Sequence, residues 1–191
     1  MFKRITYTAL VLLAVALVLA TTYQAMELVK ARHHTREVVQ KDLKAGKWRP
    51  YRGEVRPLTL TVDRFSKNRL DALLKVVDPR FYAHSGGTIL DALSGQRSLP
   101  QQLVQTLYFE HYNFGYDRIR QSIITTFAVE GNISKFNQLT LFINAVPLGL
   151  EKGKPVYGLE EGARAYYGKG FTSLSDAEYV QLLRRVESIQ S

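Results

Sequence analysis

The chain has 191 residues, a formal charge of +9 and no cysteine. Apolar residues make up 46 % of it and charged residues 23 %, which excludes a disordered polymer, and the missing cysteine excludes a disulfide scaffold and thiol chemistry. The excess of Lys and Arg suits anionic partners such as phospholipid headgroups, pyrophosphates or nucleic acid.

Ile5 to Tyr23 carries no charged side chain and is mostly Leu, Val and Ala, a run long enough to cross the hydrocarbon core as a helix. Lys3 and Arg4 precede it, which favours the N-terminus inside the cell, although Lys30, Arg32 and Arg36 follow closely and weaken the asymmetry. A cleaved signal peptide is the competing reading. The run is long for one, and no small-x-small cleavage site precedes Gln24. A basic domain tethered in this way meets the lipid bilayer first, so nucleic acid is set aside as a partner.

From Gln24 to about Ala45 the composition predicts a polar helix extending outward. Between Gln24 and Pro57 nine Lys or Arg stand against four Asp or Glu, so the segment can lie on anionic headgroups. His33 and His34 are adjacent and share no helix face, which makes them a poor metal pair. Gly46, Pro50, Gly53 and Pro57 mark a linker or an extended entry into the domain. The alternation Leu58, Thr59, Leu60, Thr61, Val62 predicts a short strand. Helices are then predicted over Ser66 to Val77, over Pro100 to Phe109 with Ser98 as N-cap, and over Asp117 to Glu130 ended by Gly131. Further helices run from Ser134 to Ala145, from Leu159 to Tyr167 ended by Gly168, and onward from a capping box at Ser175 and Glu178.

Several motifs sit on these elements in a telling order. Asp78-Pro79-Arg80-Phe81-Tyr82-Ala83-His84-Ser85-Gly86 is similar to a signature Glu-Asp-x-x-Phe-x-x-His-x-Gly, with Val77 in the place of its Glu. Gly95 to Gln105, with Gln101-Gln102-Leu103 at its centre, echoes Gly-x-Ser-Thr-Ile-Thr-Gln-Gln-Leu-x-Lys. Arg118, Ile119, Ser122 and Glu130 fall on Arg-Lys-x-x-Glu followed by a later Glu. Ser134-Lys135 with Phe142-Ile143-Asn144, and Tyr157-Gly158 through Ala163, Arg164 and Tyr166-Tyr167-Gly168-Lys169, complete the series. In this order the motifs resemble the peptidoglycan glycosyltransferases, glycosyltransferase family 51. The resemblance runs from about Leu58 to the C-terminus. It implies a mainly α, lysozyme-like domain behind one N-terminal transmembrane helix, anchored in the bacterial cytoplasmic membrane with the C-terminal domain outside the cytoplasm. The expected organisation is a cytoplasmic tip and anchor over residues 1–23, a basic helical stalk and linker over 24–57, and the transferase-like domain over 58–191.

The reaction implied by the resemblance joins one lipid-linked disaccharide to another. A sugar hydroxyl attacks the donor's anomeric carbon and a polyprenyl pyrophosphate leaves. That hydroxyl needs a general base, which the family supplies as the Glu of the first signature, and the leaving group needs cations. This chain departs at those positions: Val77 replaces the base, Arg97 the Ser and Gln105 the Lys of the second signature, and Ile119 and Ser122 the Lys and Glu of the third. The gap between the first two signatures is also several residues shorter than usual in the family.

Asp78 and Glu130 are the candidate substitutes for the base. Asp78 points about 100° away from Val77 on a helix. His84, Gln101, Gln102, Arg118 and Lys135 are the candidate substrate-binding residues, each weighed against a packed, capping or solvated role. Arg97 and Arg120 are extra cations able to hold a phosphate. The aromatic run Tyr108, Phe109, Tyr112, Phe114 and Tyr116 suits either a membrane-facing segment or core packing. No cofactor is implied, and a divalent metal requirement is left open. The expected role is an impaired transferase relative that binds lipid-linked precursor, glycan strand or a cell-wall synthesis protein. An active transferase with a rearranged site and a scaffold that binds no substrate are the alternatives.

Overall fold

The computed structural model describes residues 2–83, 98–113 and 115–190. It is mainly helical, with two short antiparallel hairpins. Helix α1 spans Phe2–His34, passes through a π turn at Thr35–Val39 and continues as α2, Gln40–Lys44. This N-terminal helix is long and apolar enough to cross a membrane, and none of its most apolar stretch is buried. A second π turn, Thr125–Val129, extends α5, Tyr116–Ile124. Both π turns begin at a threonine whose hydroxyl donates to the carbonyl four residues back, Thr35 to Ala31 at 2.9 Å and Thr125 to Gln121 at 2.8 Å. That hydroxyl competes with the amide for the same carbonyl and loosens the ladder locally.

Beyond the membrane-length stretch, α1 is a structural part of the domain. It lies alongside α5 in the same direction. Gln24 donates to the Tyr116 hydroxyl at 2.7 Å, Glu27 pairs with Arg120, and Arg32 donates to the Phe127 carbonyl at 3.0 Å. Farther along, the Thr35 and Tyr108 hydroxyls share a 2.6 Å bond, and Gln40 donates to the Asn132 carbonyl at 2.6 Å. Ala31 and Val39 are buried with Trp48, Leu103, Leu107 and Ala128 in one of two apolar clusters.

The predicted linker is built rather than free. Strand β1, Lys47–Trp48, pairs antiparallel with β2, Arg56–Pro57, and Trp48 is buried. The strand expected at Leu58 to Val62 does not form. Val62 instead opens a 3₁₀ turn to Arg64, the Leu58 amide donates to the Gly46 carbonyl at 2.8 Å, and the Thr59 and Leu60 amides are met by a side chain. Asn144, buried on α6 (Lys135–Ala145), accepts the Thr59 amide at 2.8 Å and the Leu60 amide at 3.0 Å through Oδ1. Its Nδ2 donates to the Leu60 and Thr140 carbonyls at 2.7 and 2.8 Å.

The remaining helices start where their caps predict. Ser66 caps α3 (Lys67–Val77), Ser98 and Gln101 form a capping box on α4 (Leu99–Tyr108), and Ser134 caps α6. A hairpin follows α6: β3, Pro147–Glu151, pairs antiparallel with β4, Lys154–Tyr157. Lys152 and Gly153 both take positive φ at its turn, the twist a tight hairpin prefers. Helix α7, Leu159–Tyr167, ends at left-handed Gly168, and α8, Asp176–Gln190, begins at the Ser175–Glu178 box. Helices α4 and α6 serve both cores. Leu99, Leu139, Phe142 and Ile143 pack with Leu73, Val77, Phe81, Phe171 and Leu182, while Leu103, Val104, Leu141 and Ala145 face the cluster that holds α1.

Two outcomes follow from these contacts. Asn144→Ala strands two amides and a carbonyl in a buried joint and is expected to cost about 2–4 kcal/mol, read from chemical denaturation in detergent. His34 is wedged edge-on between Tyr51 and Tyr108 and donates from Nε2 to the Leu107 carbonyl at 3.1 Å. Burial pushes this imidazole below its ordinary value, against the pull of the Leu107 bond. The folded state therefore favours the neutral ring. The unfolded chain takes up its proton first as pH falls through about 6.5, so stability present above that pH is lost below it. The unfolding midpoint is expected to drop between pH 7.5 and 5.5 and to flatten in His34→Gln, as thermal melts across that range will register.

Candidate functional site

Val77 closes α3 and is buried, packed with Leu73, Phe81 and Leu99. An aliphatic side chain offers no proton acceptor, and its burial leaves no room for one. Asp78 is buried directly after it. One carboxylate oxygen accepts the Leu99 amide at 3.0 Å and the other the Arg80 amide at 3.3 Å. A carboxylate at the first turn of a helix meets unpaired N–H groups and the positive end of the dipole. Asp78 thus ties the end of α3 to the start of α4.

Glu130 follows the π turn and meets Lys135 at 3.2 Å. The Lys135 ammonium also sits 4.7 Å from the centre of the Phe81 ring. The acid and the cation that sequence reading nominated for separate roles therefore neutralise one another.

Ser122, which the resemblance sets in the place of the family's second Glu, has no exposed surface. Its hydroxyl accepts from the Gln101 amide at 3.4 Å, while Gln101 Oε1 accepts the Ser98 amide at 3.0 Å. Gln121 donates to the Gln101 carbonyl at 2.6 Å and accepts from the Tyr112 hydroxyl at 2.6 Å. Gln101 is thus a cap and a buried bridge at once. Tyr112 belongs to the aromatic run noted in the sequence, whereas Gln121 was not singled out, although it adjoins a signature position on the same helix.

Of the candidate cations among the described residues, Arg120 and Lys135 have acidic partners. Arg120 pairs with Glu27, lies 3.9 Å from Asp117 and stacks over Phe109 at 4.9 Å. Burial opposes ionisation of Glu27, yet Lys30 and Arg120 hold its carboxyl below the usual carboxylate range. Arg118 is half-buried on α5 and makes no ion pair among the described residues. Ile119, at the family's Lys position, is exposed. His84 and Arg97 lie outside the described residues, as does Phe114. Tyr108 and Phe109 are buried in the core, whereas Tyr116 is exposed beside Gln24.

Gln105 and the largely buried Gln102 line a cavity of about 850 Å³. Tyr51, Tyr112, Asn113 and Tyr157 share its lining, which does not include Val77, Asp78, Gln101 or Ser122. A second cavity of about 660 Å³ lies against α1, beside Lys30, His33, His34 and Arg120. Among the described residues no group of three or more His, Asp or Glu is placed to hold a metal ion.

This geometry has a family behind it. The model of the Transglycosylase family matches residues 47–189, and the chain belongs to that family. It is 27 % identical over 143 residues to penicillin-binding protein 1A of Neisseria flavescens, covering 68 % of this chain and 17 % of that one. It is 29 % identical over 129 residues to the biosynthetic peptidoglycan transglycosylase of Acinetobacter baumannii, covering 61 % and 55 %. Penicillin-binding protein 2D of Bacillus subtilis is 30 % identical over 120 residues, covering 56 % and 17 %. The chain thus spans little more than half of the transglycosylase and about a sixth of the penicillin-binding proteins.

A carboxylate introduced at Ser122 has a predictable cost. Ser122→Glu inserts a longer, charged side chain into a closed contact with Gln101, and is expected to destabilise the fold by about 2 kcal/mol or more. A denaturant midpoint unchanged from that of the unsubstituted protein would show that the site is open.

Proposed function

We propose that this transglycosylase-family chain is a membrane-anchored protein of cell-wall synthesis that does not polymerise glycan at the rates of its family, and that it acts by holding lipid-linked precursor, glycan strand or a synthesis partner. Lys3 and Arg4 before the apolar helix favour an outward-facing C-terminal domain.

One observation carries the reading. The side chains at the positions of the family's base Glu, of its second Glu and of the lysines of the second and third signatures are neutral, and the signature acids that remain, Asp78 and Glu130, are occupied. Val77 and Ser122 are buried, and Gln105 and Ile119 carry no charge. Asp78 accepts two backbone amides, and Glu130 faces Lys135. Loss of a general base alone lowers a rate by about 10²- to 10⁴-fold, and loss of leaving-group stabilisation adds to that.

The test uses the full chain in lipid vesicles with a lipid-linked disaccharide-peptide. The expected result is precursor retained on the protein and recovered unpolymerised, and Val77→Glu alone is expected to stay inert because the cations are still missing. Chain growth by the unsubstituted protein at family rates, resolved by gel electrophoresis of the glycan, overturns the reading.

A further inference from the structure

Two tyrosines on neighbouring helices mark a common height. Tyr23 ends the uncharged run of α1 and Tyr116 opens α5. Both are exposed, and Gln24 donates to the Tyr116 hydroxyl at 2.7 Å. Exposed tyrosine at the end of an apolar span belongs to the membrane–water interface. Both helices run outward from that level. Glu27 and Arg120 each follow their tyrosine by one helical turn, about 6 Å along the axis. The headgroup layer on each side of a bilayer is about 5–8 Å deep. The Arg120–Glu27 pair, with Lys30 just beyond it, therefore stands at the outer edge of the headgroups.

The cavity of about 660 Å³ against α1 sits at this level. Its cations come from three parts of the chain: Lys30 from α1, Arg52 from the segment between β1 and β2, and Arg120 from α5. Glu27 and Glu110 oppose them, so among the described lining residues three cations against two carboxylates leave one net positive charge. The Glu27 carboxylate already faces two cations, Lys30 at 3.0 Å and Arg120. Arg52 pairs with Glu110 at 3.3 Å, but both are exposed, and an exposed pair opens at little cost. Arg52 also takes a left-handed φ of 54°, which is unfavourable for any residue with a side chain, and its guanidinium lies over the Tyr51 ring at 5.4 Å. The chain accepts local strain where it sets this cation beside the cavity. Buried Phe109 and Ile124 supply an apolar wall.

We propose that this cavity holds the phosphodiester headgroup of an anionic phospholipid, such as phosphatidylglycerol, drawn laterally from the adjoining leaflet. A phosphodiester carries one negative charge, which matches the single excess positive charge of the lining, and the apolar wall suits the glycerol and the first methylenes of the chains. The inference rests on the membrane anchoring proposed for this chain and not on whether the chain polymerises glycan. It differs from a general attraction of the basic stalk to anionic lipid, because it depends on three particular cations.

The full chain is placed in nanodiscs of equal phosphatidylglycerol and phosphatidylcholine and released from them in a mass spectrometer, so that the lipid each molecule retains is identified by its mass. A single phosphatidylglycerol is expected to be retained about fivefold more often than phosphatidylcholine, the scale of one cation at a membrane surface. Lys30→Gln together with Arg52→Gln is expected to leave the two lipids retained equally. Both side chains are exposed, so the fold is left intact. Arg36→Gln together with Lys41→Gln removes the same charge from exposed stalk positions outside the cavity lining, and is expected to keep the preference.

Equal retention of both lipids by an unsubstituted chain that enters the nanodisc overturns the inference and leaves the anchoring standing. So does a preference that both double variants lose alike, or that neither loses, because the lipid then answers to diffuse charge or sits elsewhere. Loss of the retained lipid to millimolar inorganic phosphate also overturns it, since the cations then serve a soluble anion. A chain that stays out of the nanodisc, and is stripped from vesicles by an alkaline wash, overturns the anchoring as well.

Discussion

Asp78 joins two helices through its two oxygens, one taking the Leu99 amide and the other the Arg80 amide. That joint sets where α4 begins and, with the Ser98–Gln101 box, how α4 is turned about its axis. One face of α4 then sends Gln101 inward to Ser122, and the neighbouring face, with Gln102 and Gln105, forms part of the cavity wall. The same rule governs the other partly buried acids. Glu130 is met by Lys135, Glu27 by Arg120 and Lys30, and Asp117 by the Asn113 amide at 2.8 Å. An ion leaves water only where charges or donors replace its hydration, and here each replacement is a structural contact. The acids that could have been recruited as a base are the ones that hold the helices together.

The N-terminal helix extends the same economy to the whole chain. Its polar half is fastened along α5 and against α4 by side-chain bonds spread from Gln24 to Gln40. Buried Ala31 and Val39 belong to the domain's own core. The domain therefore moves with this helix instead of swinging from it. A protein that retains a ligand gains from such an arrangement, since a fixed height and orientation reduce the entropy lost on binding.

Much of this was legible in the sequence wherever the cause is local. Ser66, Ser98, Ser134 and the Ser175–Glu178 pair each start a helix, because a cap needs only its own first turn. The identities of Val77, Gln105 and Ser122 were readable through the family resemblance. Distant causes were hidden. Leu58 to Val62 has the alternation of a strand, but its Thr59 and Leu60 amides are claimed by Asn144, some 85 residues away. The β3–β4 hairpin turns on Lys152-Gly153, which lacks the usual Asn-Gly or Asp-Gly signal. Periodicity could not foretell that Gln101 would bridge to Ser122, that Lys135 would quench Glu130, or that Arg120 would be spent on Glu27. Each is a pairing across helices.

The most direct trial of the claim that the surviving acids are structural is Asp78→Ala, followed in parallel by unfolding midpoint and by glycan chain growth from lipid-linked precursor. The account predicts a lowered midpoint, because the Leu99 amide loses its acceptor, with chain growth at background before and after the substitution. Chain growth in the unsubstituted protein that vanishes in Asp78→Ala while the midpoint holds would contradict it, for then this carboxylate would be acting on substrate.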